Sequence, residues 1–368
     1  MKIGINARFL LHPFTGIGQY THSLITELAK NAPENEYFLF VPEFTDVDLP
    51  ENCKQIRVAE KNYKSESIKK AHWEHILVPK EMEKMKLDLV HFPYPANPRK
   101  KMNMPVIVTV HDVIPWKLKA YKKKLRSKAY HFYARLALKK ADHIITVSNF
   151  SKYEIVKHLK VDEKNISTIY NAPPIINNKI IFPDLDLRRK YFLYVGGYDD
   201  RKNVPELIHA YQKHIAPIYP IDLILVGGRG KDLEDLVTDE YCQRVDGKYP
   251  VKVKGNVIFT EKLDQNELMC LYKKALALVH ASDYEGFNLP LVEAMSAGIP
   301  IVCSDIPVNH EVTDDNALFV DPENIDSIGL GMHKLINDSA LQGELKANGK
   351  ERAKDFSWKK TAEETLYI

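Results

Sequence analysis

The sequence has few cysteines and no long apolar run. Its 368 residues include four cysteines, which are far apart and match no zinc-binding spacing. No stretch approaches the roughly 20 apolar residues that a membrane-spanning helix needs. The first ten residues, MKIGINARFL, lack the apolar core and cleavage site of a signal peptide. These absences predict a cytoplasmic protein with reduced thiols.

The chain is too long for one ordinary hydrophobic core, because such cores stop growing at roughly 250–300 residues. Its charge is also unevenly distributed. Residues 1–180 contain 30 Lys and Arg against 18 Asp and Glu, a net charge of +12, whereas the rest of the chain carries −9. A basic first half joined to an acidic second half predicts two domains with different partners.

Short β-branched runs alternate with amphipathic stretches along both halves of the chain, which predicts parallel sheets covered by helices. The predicted strands are 2–9, 37–41, 55–58, 87–92, 106–110, 143–147, 166–170, 191–195, 223–226, 257–259, 277–280, 299–303 and 317–320. The predicted helices are 20–30, 65–85, 119–140, 151–159, 205–211, 265–274, 291–297, 325–335 and a mixed stretch from about 341 to 368. A proline-containing segment at 171–187 reads as a linker. The pattern therefore predicts an α/β protein with two Rossmann-like domains, 1–175 and 190–345, facing each other across a cleft.

The most informative segment is DYEGFNLPLVEAMSAGIPIVCSD, residues 283–305, which follows an apolar strand. Glu285 and Glu293 are eight residues apart, and Pro290 between them suits the first turn of a helix. We expect Glu285 in the loop and Glu293 on the helix, near free amides that form an anion site. The alternative is a capped surface helix with solvated glutamates, which the strand–loop–helix context disfavours.

This segment closely resembles the signature of the retaining family-4 glycosyltransferases, which have the GT-B fold. In that family the first glutamate contacts the transferred sugar and the second holds the nucleotide ribose, so the resemblance implies these roles for Glu285 and Glu293. Asn288 stands where glycine is common. The nucleotide-sugar site implied at this segment also includes Gly286, Phe287, Asn288 and Leu289.

A second segment, YVGGYDDRKNVPELIHAY at 194–211, places Arg201 and Lys202 before a predicted helix. Cations are unfavourable at a helix start, so this pair is better explained if it faces an anion. The resembled family binds the donor diphosphate here, which implies binding roles for Arg201, Lys202 and the nearby Gly197. A solvated Arg-Lys pair is the minority interpretation.

Two segments of the first half also match the family. VTVHDVIPW at 108–116 delivers His111 to the end of a buried strand, and the resemblance places it beside the donor sugar. We expect His111 to position substrate and stabilise charge, and not to act as a general base. Gly16 and Gly18 lack the third glycine of a dinucleotide fingerprint. We expect them to let the backbone approach the donor phosphates or the acceptor.

The segment VIFTEKL at 257–263 also resembles the family, and the resemblance places the nucleotide base near Lys262 and Leu263, although the identity of the base stays open. Asp184-Leu185-Asp186 imitates the metal motif of the other main glycosyltransferase fold, but it lies in the predicted linker. We therefore expect no metal and no cofactor beyond a GDP- or UDP-linked sugar as co-substrate.

The run KLKAYKKKLRSKAYHFYARLALKK, residues 117–140, is strongly basic on a predicted helix. It either contacts anionic lipid at the inner face of the membrane, which would suit a lipid-linked acceptor, or packs an apolar stripe on the sheet with its charges solvated. No nucleic-acid partner is predicted, because no recognition motif accompanies the charge.

The resemblance implies a retaining glycosyltransferase with the donor on the second domain and a glycan or lipid-linked acceptor on the first. It also implies that a C-terminal helix, 346–368, packs back on the first domain. The RKN and VHDVIP segments look like those of bacterial mannosyltransferases that build surface polysaccharides, which makes GDP-mannose the first candidate donor. A UDP-sugar-dependent transferase, a nucleotide-sugar epimerase and a non-catalytic nucleotide-binding or membrane-docking module are the alternatives.

Overall fold

The computed structural model describes residues 1–13, 15–118, 132, 134–174, 181–227, 254–260 and 263–368. The chain divides into two compact units. The first comprises Met1–Ala172 together with Ser357–Ile368, and the second comprises Pro173–Phe356. Each unit is built on its own parallel sheet, which confirms the predicted α/β fold with two Rossmann-like sheets.

The sheet of the first unit has the order β3-β2-β1-β4-β5-β6-β7, and every neighbouring pair is parallel. Its strands are β1 (Lys2–Asn6), β2 (Glu36–Val41), β3 (Cys53–Arg57), β4 (Leu89–Phe92), β5 (Val106–Val110), β6 (His143–Thr146) and β7 (Ile166–Thr168). Its helices include α1 (Gly16–Asn31), α2 (Glu66–His72), α3 (Val78–Lys84), α4 (Ile114–Lys117) and α5 (Asn149–Leu159).

The sheet of the second unit has the order β10-β9-β8-β11-β12-β13, again with parallel pairs. Its strands are β8 (Tyr191–Val195), β9 (Asp222–Val226), β10 (Val257–Thr260), β11 (Ala277–His280), β12 (Ile301–Ser304) and β13 (Leu318–Val320). Its helices include α6 (Val204–His214), α7 (Gln265–Lys274), α8 (Leu289–Ala297), α9 (Pro307–Thr313), α10 (Ile325–Asn337) and α11 (Ser339–Ala353).

Each sheet contains at least one strand that is completely buried. All five residues of β5 and all four of β11 and β12 are buried. Helices on both faces of a parallel sheet cover the strands, which is why these strands read as continuous apolar runs and do not alternate. This burial leaves only the loops beyond the strand ends free to carry polar chemistry.

The predicted helix at 65–85 is divided by a π turn, Trp73–Leu77, between α2 and α3. Pro79 follows this turn, and a proline inside a helix lacks an N–H and clashes with the carbonyl four residues earlier. The wider turn, in which the Val78 N–H donates to the Trp73 carbonyl, accommodates the proline.

The segment that returns to the first unit begins at Ser357, later than the predicted residue 346. α11 packs against α8 in the second unit, where Gly349 approaches Met295. Only the last helix, α12 (Trp358–Leu366), packs on α1 of the first unit. The prediction was wrong about 346–356, because two helices occupy what looked like one helical stretch.

Among the described residues, no helix is both long and apolar enough to cross a membrane. Most of the basic run at 117–140 lies outside the described residues, so its predicted lipid contact stays a prediction. The first residue of the run, Lys117, forms an ion pair of 2.7 Å with the buried carboxylate of Glu154.

Candidate functional site

The predicted residues of the second unit meet at the carboxyl edge of its sheet. β8 and β11 are neighbours in this sheet. Each is followed by one of the two predicted segments, because parallel strands end at the same edge. The turn Asp200–Lys202 follows β8, and the loop that contains Glu285 follows β11. The structure thereby brings Arg201 and Lys202 to Glu285 across 83 residues of sequence.

Arg201, Lys202 and Glu285 form a buried ionic cluster. The Lys202 ammonium donates a hydrogen bond to Glu285 Oε1, and Arg201 Nη1 lies 2.8 Å from the same oxygen. Arg201 also donates to the Tyr284 carbonyl at 2.8 Å, and its Nε lies 2.9 Å from Asp199 Oδ1. Arg201 and Lys202 thus lie at the loop that leads into α8, where carboxylates of the chain itself pair with them, and the anion site stays a prediction.

Glu285 is ionised in this cluster. Burial alone would raise the pKa of its carboxyl, but the charges of Lys202 and Arg201 outweigh burial and lower the pKa to about 2. A carboxylate with one oxygen bound to two cations retains lone pairs that can accept hydrogen bonds from sugar hydroxyls. The three side chains together carry one net positive charge.

Backbone and amide contacts join the two segments. Asn203 adopts a left-handed conformation, with φ of 48°, where the turn ends and α6 begins. Its side-chain amide donates to the Asp283 carboxylate, and the Asp283 N–H donates to the Arg201 carbonyl at 2.8 Å. The position of the cations relative to Glu285 is therefore set by the backbone as well as by charge.

His280, the last residue of β11, also contacts this cluster and was not predicted from the sequence. Its Nε2 lies 3.5 Å from the Lys202 Nζ, its Nδ1 lies 3.2 Å from the Ser282 hydroxyl, and its ring stacks on Tyr194. Burial and the Lys202 charge lower its pKa to about 3, so the imidazole is neutral and Nε2 can accept from Lys202. The signal was present, since His280 ends a buried strand just as His111 was predicted to do.

Glu293 lies on α8, as predicted, in surroundings unlike those of Glu285. Tyr272 on α7 donates a hydrogen bond of 2.6 Å to Glu293 Oε2. Burial raises the pKa of Glu293 to about 7, although the bond from Tyr272 acts in the opposite direction. One glutamate of the pair is thus held as a carboxylate by cations, whereas the other titrates near neutral pH.

The start of α8 is built around Asn288, which has a φ of 73° and makes no side-chain cap. Its buried amide donates to Asn309 Oδ1 at 2.9 Å. Phe287 is also buried and packs edge-on against Phe356. The loop therefore turns into α8 through a residue in the left-handed conformation, at the position where glycine is common in the resembled family. The remaining residues of the implied site, Gly286 and Leu289, flank this turn.

Of the other predicted residues of this unit, Gly197 lies just beyond β8 and its carbonyl accepts a bond of 2.6 Å from the Tyr194 hydroxyl. Leu263 directly precedes the N-cap of α7, where Asp264 forms a capping box with Glu267. Lys262 lies outside the described residues. The predicted contact of Lys262 and Leu263 with a nucleotide base stays a prediction.

In the first unit, His111 follows β5 at the carboxyl edge of the sheet. Its Nε2 lies 2.9 Å from the Pro93 carbonyl, so this nitrogen carries the proton and Nδ1 is left as an acceptor. Burial lowers the pKa of His111 to about 4, although the bond to Pro93 opposes this shift. The Tyr20 ring meets the imidazole edge-on with centroids 4.7 Å apart. A neutral, fixed imidazole is suited to positioning a substrate and does not supply a positive charge.

Gly16 and Gly18 begin α1, and the hydroxyl of the N-cap Thr15 accepts from the Gly18 N–H at 3.1 Å. A Cβ at Gly18 would lie 2.1 Å from the His12 carbonyl oxygen, so the loop's own fold requires this glycine. A Cβ at Gly16 would meet no atom within 4 Å among the described residues. Close approach of a ligand is therefore not needed to explain Gly18, whereas Gly16 faces open space.

Asp186 of the imitated metal motif pairs with Arg188, with 2.6 Å between Oδ2 and Nη2. Among the described residues, no group of three or more His, Cys, Asp or Glu side chains is placed to hold a metal ion. The expectation of a metal-independent reaction stays a prediction.

Comparison with known proteins gives matches over most of the chain. The model of glycosyl transferases group 1 matches residues 177–352, and that of glycosyltransferase family 4 matches residues 14–173. The O-antigen chain mannosyltransferase RfbU of Salmonella typhimurium is 36% identical over 221 residues, which are 59% of this chain and 57% of that protein. The O-antigen chain mannosyltransferase B of Escherichia coli is 27% identical over 400 residues, which cover 100% of this chain and 98% of that protein.

Solved structures show the same fold at low sequence identity. A sucrose-phosphate synthase from Thermosynechococcus elongatus superposes with a TM-score of 0.77 at 20% identity, covering 100% of this chain and 98% of that one. WaaG, a glycosyltransferase involved in lipopolysaccharide biosynthesis, superposes with a TM-score of 0.72 at 16% identity, covering 99% and 98%. The two-sheet architecture described above is thus the GT-B fold.

Proposed function

We propose that this chain, which belongs to the group 1 and family 4 glycosyltransferases, transfers a hexosyl group from a nucleotide sugar bound by its second unit. GDP-mannose is the first candidate donor, because two of the relatives are named as mannosyltransferases of O-antigen chains. The acceptor would be a glycan or a lipid-linked glycan of a surface polysaccharide or glycolipid. The observation that carries the proposal is the cluster of Arg201, Lys202 and Glu285 at the carboxyl edge of the sheet.

The chemistry needs stabilisation of a leaving group. When the bond between the sugar and the nucleotide breaks, negative charge grows on the diphosphate and positive charge on the sugar. Arg201 and Lys202 would stabilise the diphosphate, together with the amides at the start of α8. Because both cations already lie fixed in the protein, no reorganisation of charge is required when the bond breaks.

Glu285 would act beside these cations in two ways. Its carboxylate holds Arg201 and Lys202 at the edge of the sheet. It is also the negative charge nearest to these cations. It would therefore lie beside the sugar that is joined to the diphosphate. A carboxylate at this position would accept hydrogen bonds from sugar hydroxyls and favour the positive charge that develops on the sugar.

Two further points concern the identity of the donor and the contact with the membrane. A UDP-sugar is the alternative donor, since no described residue identifies the base. Contact with anionic lipid through residues 117–140, and with it a location at the inner face of the membrane, rests on the sequence pattern and on the chemistry of a lipid-linked acceptor. No metal is required by the proposed chemistry, since Arg201 and Lys202 supply the positive charge.

The test is a thermal-shift titration with GDP-mannose, UDP-glucose and ADP-glucose, followed by an assay of mannosyl release from GDP-mannose. We expect GDP-mannose to raise the melting temperature by several degrees and Lys202→Ala to abolish the response. Lys213→Ala is the matched control, because Lys213 pairs with Asp326 at the exposed surface.

A Lys202→Ala variant that responds as strongly as the parent would place the donor elsewhere and overturn the proposed site. A response to UDP-glucose and not to GDP-mannose would replace the donor and leave the transferase in place. Release of a rearranged nucleotide sugar without added acceptor would favour an epimerase.

A further inference from the structure

We infer that Tyr272 is a positioning residue of the nucleotide-sugar site, which holds Glu293 by one carboxylate oxygen so that the other oxygen can accept a ribose hydroxyl. The inference rests on the proposed function and on the role of ribose ligand that the family resemblance implies for Glu293. It adds a residue that the sequence did not single out, 21 positions before the glutamate that it orients.

The contact joins two helices. Tyr272 lies on α7 and Glu293 on α8, and these helices pack against each other. The hydroxyl of Tyr272 lies 2.6 Å from Glu293 Oε2, and both residues are buried, with exposures of 0% and 5%. The capping box of Asp264 and Glu267 fixes the start of α7, so the tyrosine is presented from a well-defined helix.

The second carboxylate oxygen of Glu293, Oε1, indicates that Tyr272 does more than pack against this glutamate. Within the part of the chain that the structure describes, Tyr272 is the only hydrogen-bond partner of the Glu293 side chain. An oxygen sealed in the interior without a partner would be destabilising, but Glu293 Oε1 is not among the buried side-chain atoms of the described residues that lack a partner, so it keeps access to solvent. A ligand hydroxyl can therefore reach Oε1 and donate a hydrogen bond to it.

The direction of the side chain agrees with this role. Side chains on a helix lean toward its N-terminus. Glu293 is the fifth residue of α8, about one helical turn from Asn288 and Leu289, where the diphosphate is proposed to bind. A ribose joined to that diphosphate lies within reach of a carboxyl about one helical turn further along.

Above the pKa of Glu293, the protonation states allow only one direction for the bond, from the Tyr272 hydroxyl to the carboxylate. Burial, followed by the nearby Glu293 carboxyl, keeps the pKa of Tyr272 well above its ordinary value, so the phenol remains a donor. Burial and the Tyr272 bond account for the pKa of Glu293, and no charged side chain of the elements packed on α8 contributes to it. Tyr272 therefore keeps Glu293 ionised to a lower pH than burial alone would allow.

The experiment compares hydroxyl recognition in three proteins. GDP, 2′-deoxy-GDP and 3′-deoxy-GDP are titrated calorimetrically into the parent, Tyr272→Phe and Glu293→Ala, with the UDP series in parallel. We expect the parent to lose about tenfold or more in affinity when the recognised hydroxyl is removed, because a bond to a charged acceptor contributes about 1.5–3 kcal/mol. Glu293→Ala should show no such loss, and Tyr272→Phe a loss reduced to about threefold or less.

The matched control is Tyr191→Phe. The Tyr191 hydroxyl is also buried and also bonds to α7, at 2.8 Å from the Leu271 carbonyl, but it does not touch Glu293. We expect Tyr191→Phe to retain the full hydroxyl dependence of the parent. A general loosening of α7 would reduce the hydroxyl dependence in both tyrosine variants and overturn the assignment.

A pH series gives a second readout. Protonation of the diphosphate changes the affinities for GDP and for its deoxy analogue equally, so this effect cancels in the ratio of the two affinities. This ratio should fall as the pH drops through the pKa of Glu293, and in Tyr272→Phe the fall should begin at a higher pH because the bond that lowers this pKa is gone.

The two proposals fail differently. If Tyr272→Phe discriminates against the deoxy nucleotides as strongly as the parent does, the role of Tyr272 is refuted and the proposed function stands. If the parent and Glu293→Ala bind every nucleotide of both series alike, Glu293 is not the ribose ligand and the role of Tyr272 is refuted, whereas the proposed function is overturned only if Lys202→Ala responds to the donor as strongly as the parent.

Discussion

The two units are built on the same kind of parallel sheet, but the residues at the carboxyl edges of the two sheets differ in charge. At the carboxyl edge of the second unit, two cations and a carboxylate form a buried cluster of opposite charges. At the same edge of the first unit, a neutral imidazole is held between the Pro93 carbonyl and the edge of the Tyr20 ring. The parallel sheet determines where polar residues can collect, and the loops alone determine whether they carry charge.

The contacts that hold these residues at the two carboxyl edges also differ in charge. In the first unit the Tyr20 hydroxyl lies 3.0 Å from the Thr109 hydroxyl, which is 2.9 Å from His91 Nε2, and Trp358 of α12 packs edge-on against the Tyr20 ring. Burial lowers the pKa of His91 to about 3, so this chain of contacts is neutral throughout. The position of His111 is thus set by the packing of neutral groups, whereas the position of Glu285 is set by ion pairs.

The largest effect is expected from removing the charge at Glu285. Glu285→Gln leaves Arg201 and Lys202 buried without their carboxylate, which costs about 3–5 kcal/mol in folding free energy. It also removes the carboxylate that we propose stabilises the transition state, so we expect turnover to fall by about 10²–10³. Steady-state kinetics and the melting temperature check both. Glu323→Gln, at an exposed position, is the control, and parental turnover in Glu285→Gln would show that the cluster has no catalytic role.

A second substitution breaks the packing under the other edge. Trp358→Ala removes a buried ring from the contact with Tyr20, and truncation of a buried tryptophan costs about 3–5 kcal/mol. We expect calorimetry to show a lower melting temperature, with little change in GDP affinity because the donor residues lie in the second unit. Tyr367→Ala, at a site with 92% exposure, is the control on the same segment. A large loss of GDP affinity in Trp358→Ala would contradict the separation of charge and packing.

The contrast between the two glutamates can be sharpened by pH. The pKa of Glu293 in the folded protein, about 7, lies above its ordinary value of 4.5, so the folded state binds more protons between these values. The stability that this group contributes is complete below pH 4.5 and is lost as the pH rises to about 7, a change of about 3 kcal/mol.

Glu293→Gln does not titrate, so its melting temperature relative to the parent should rise by several degrees between pH 4.5 and 7.5. Glu363→Gln, at an exposed position, should follow the parent across the range. Parallel melting curves for Glu293→Gln and the parent would mean that burial does not raise the pKa of this glutamate.

The smallest effect is expected at Asn288. Asn288→Gly relieves a left-handed conformation but removes the amide that bonds to Asn309 Oδ1. These terms have opposite signs and each is worth about 1 kcal/mol. We expect a net change in unfolding free energy of less than about 1 kcal/mol, measured by urea denaturation. A larger loss would show that the bond to Asn309 dominates the turn.

Much of the fold was predictable because the local pattern and the tertiary environment agree. Each predicted strand overlaps an observed one, since buried parallel strands are short β-branched runs bounded by turns. α9 was missed, because seven residues that begin with Pro307 show too little helical periodicity. The segment that returns to the first unit was predicted to begin too early in the sequence. The break between α11 and α12 depends on which unit each helix packs against, and the sequence pattern does not show this.

The site was predictable where its residues are adjacent in sequence. Glu285, Glu293, Arg201 and Lys202 were found from two short segments with a clear relation to a strand end. Residues that act through contacts across the fold were not found. Tyr272 and Glu293 meet because two helices pack, and no spacing in the sequence specifies which side chains face each other there.

The return of α12 also has a consequence for biosynthesis. During translation the second unit emerges between the two parts of the first, so Tyr20 leaves the ribosome more than 330 residues before Trp358. Until then α1 lacks the helix that covers it, and apolar surface there is open to chaperones. A nascent chain can therefore complete the second unit before the first unit, from which translation began.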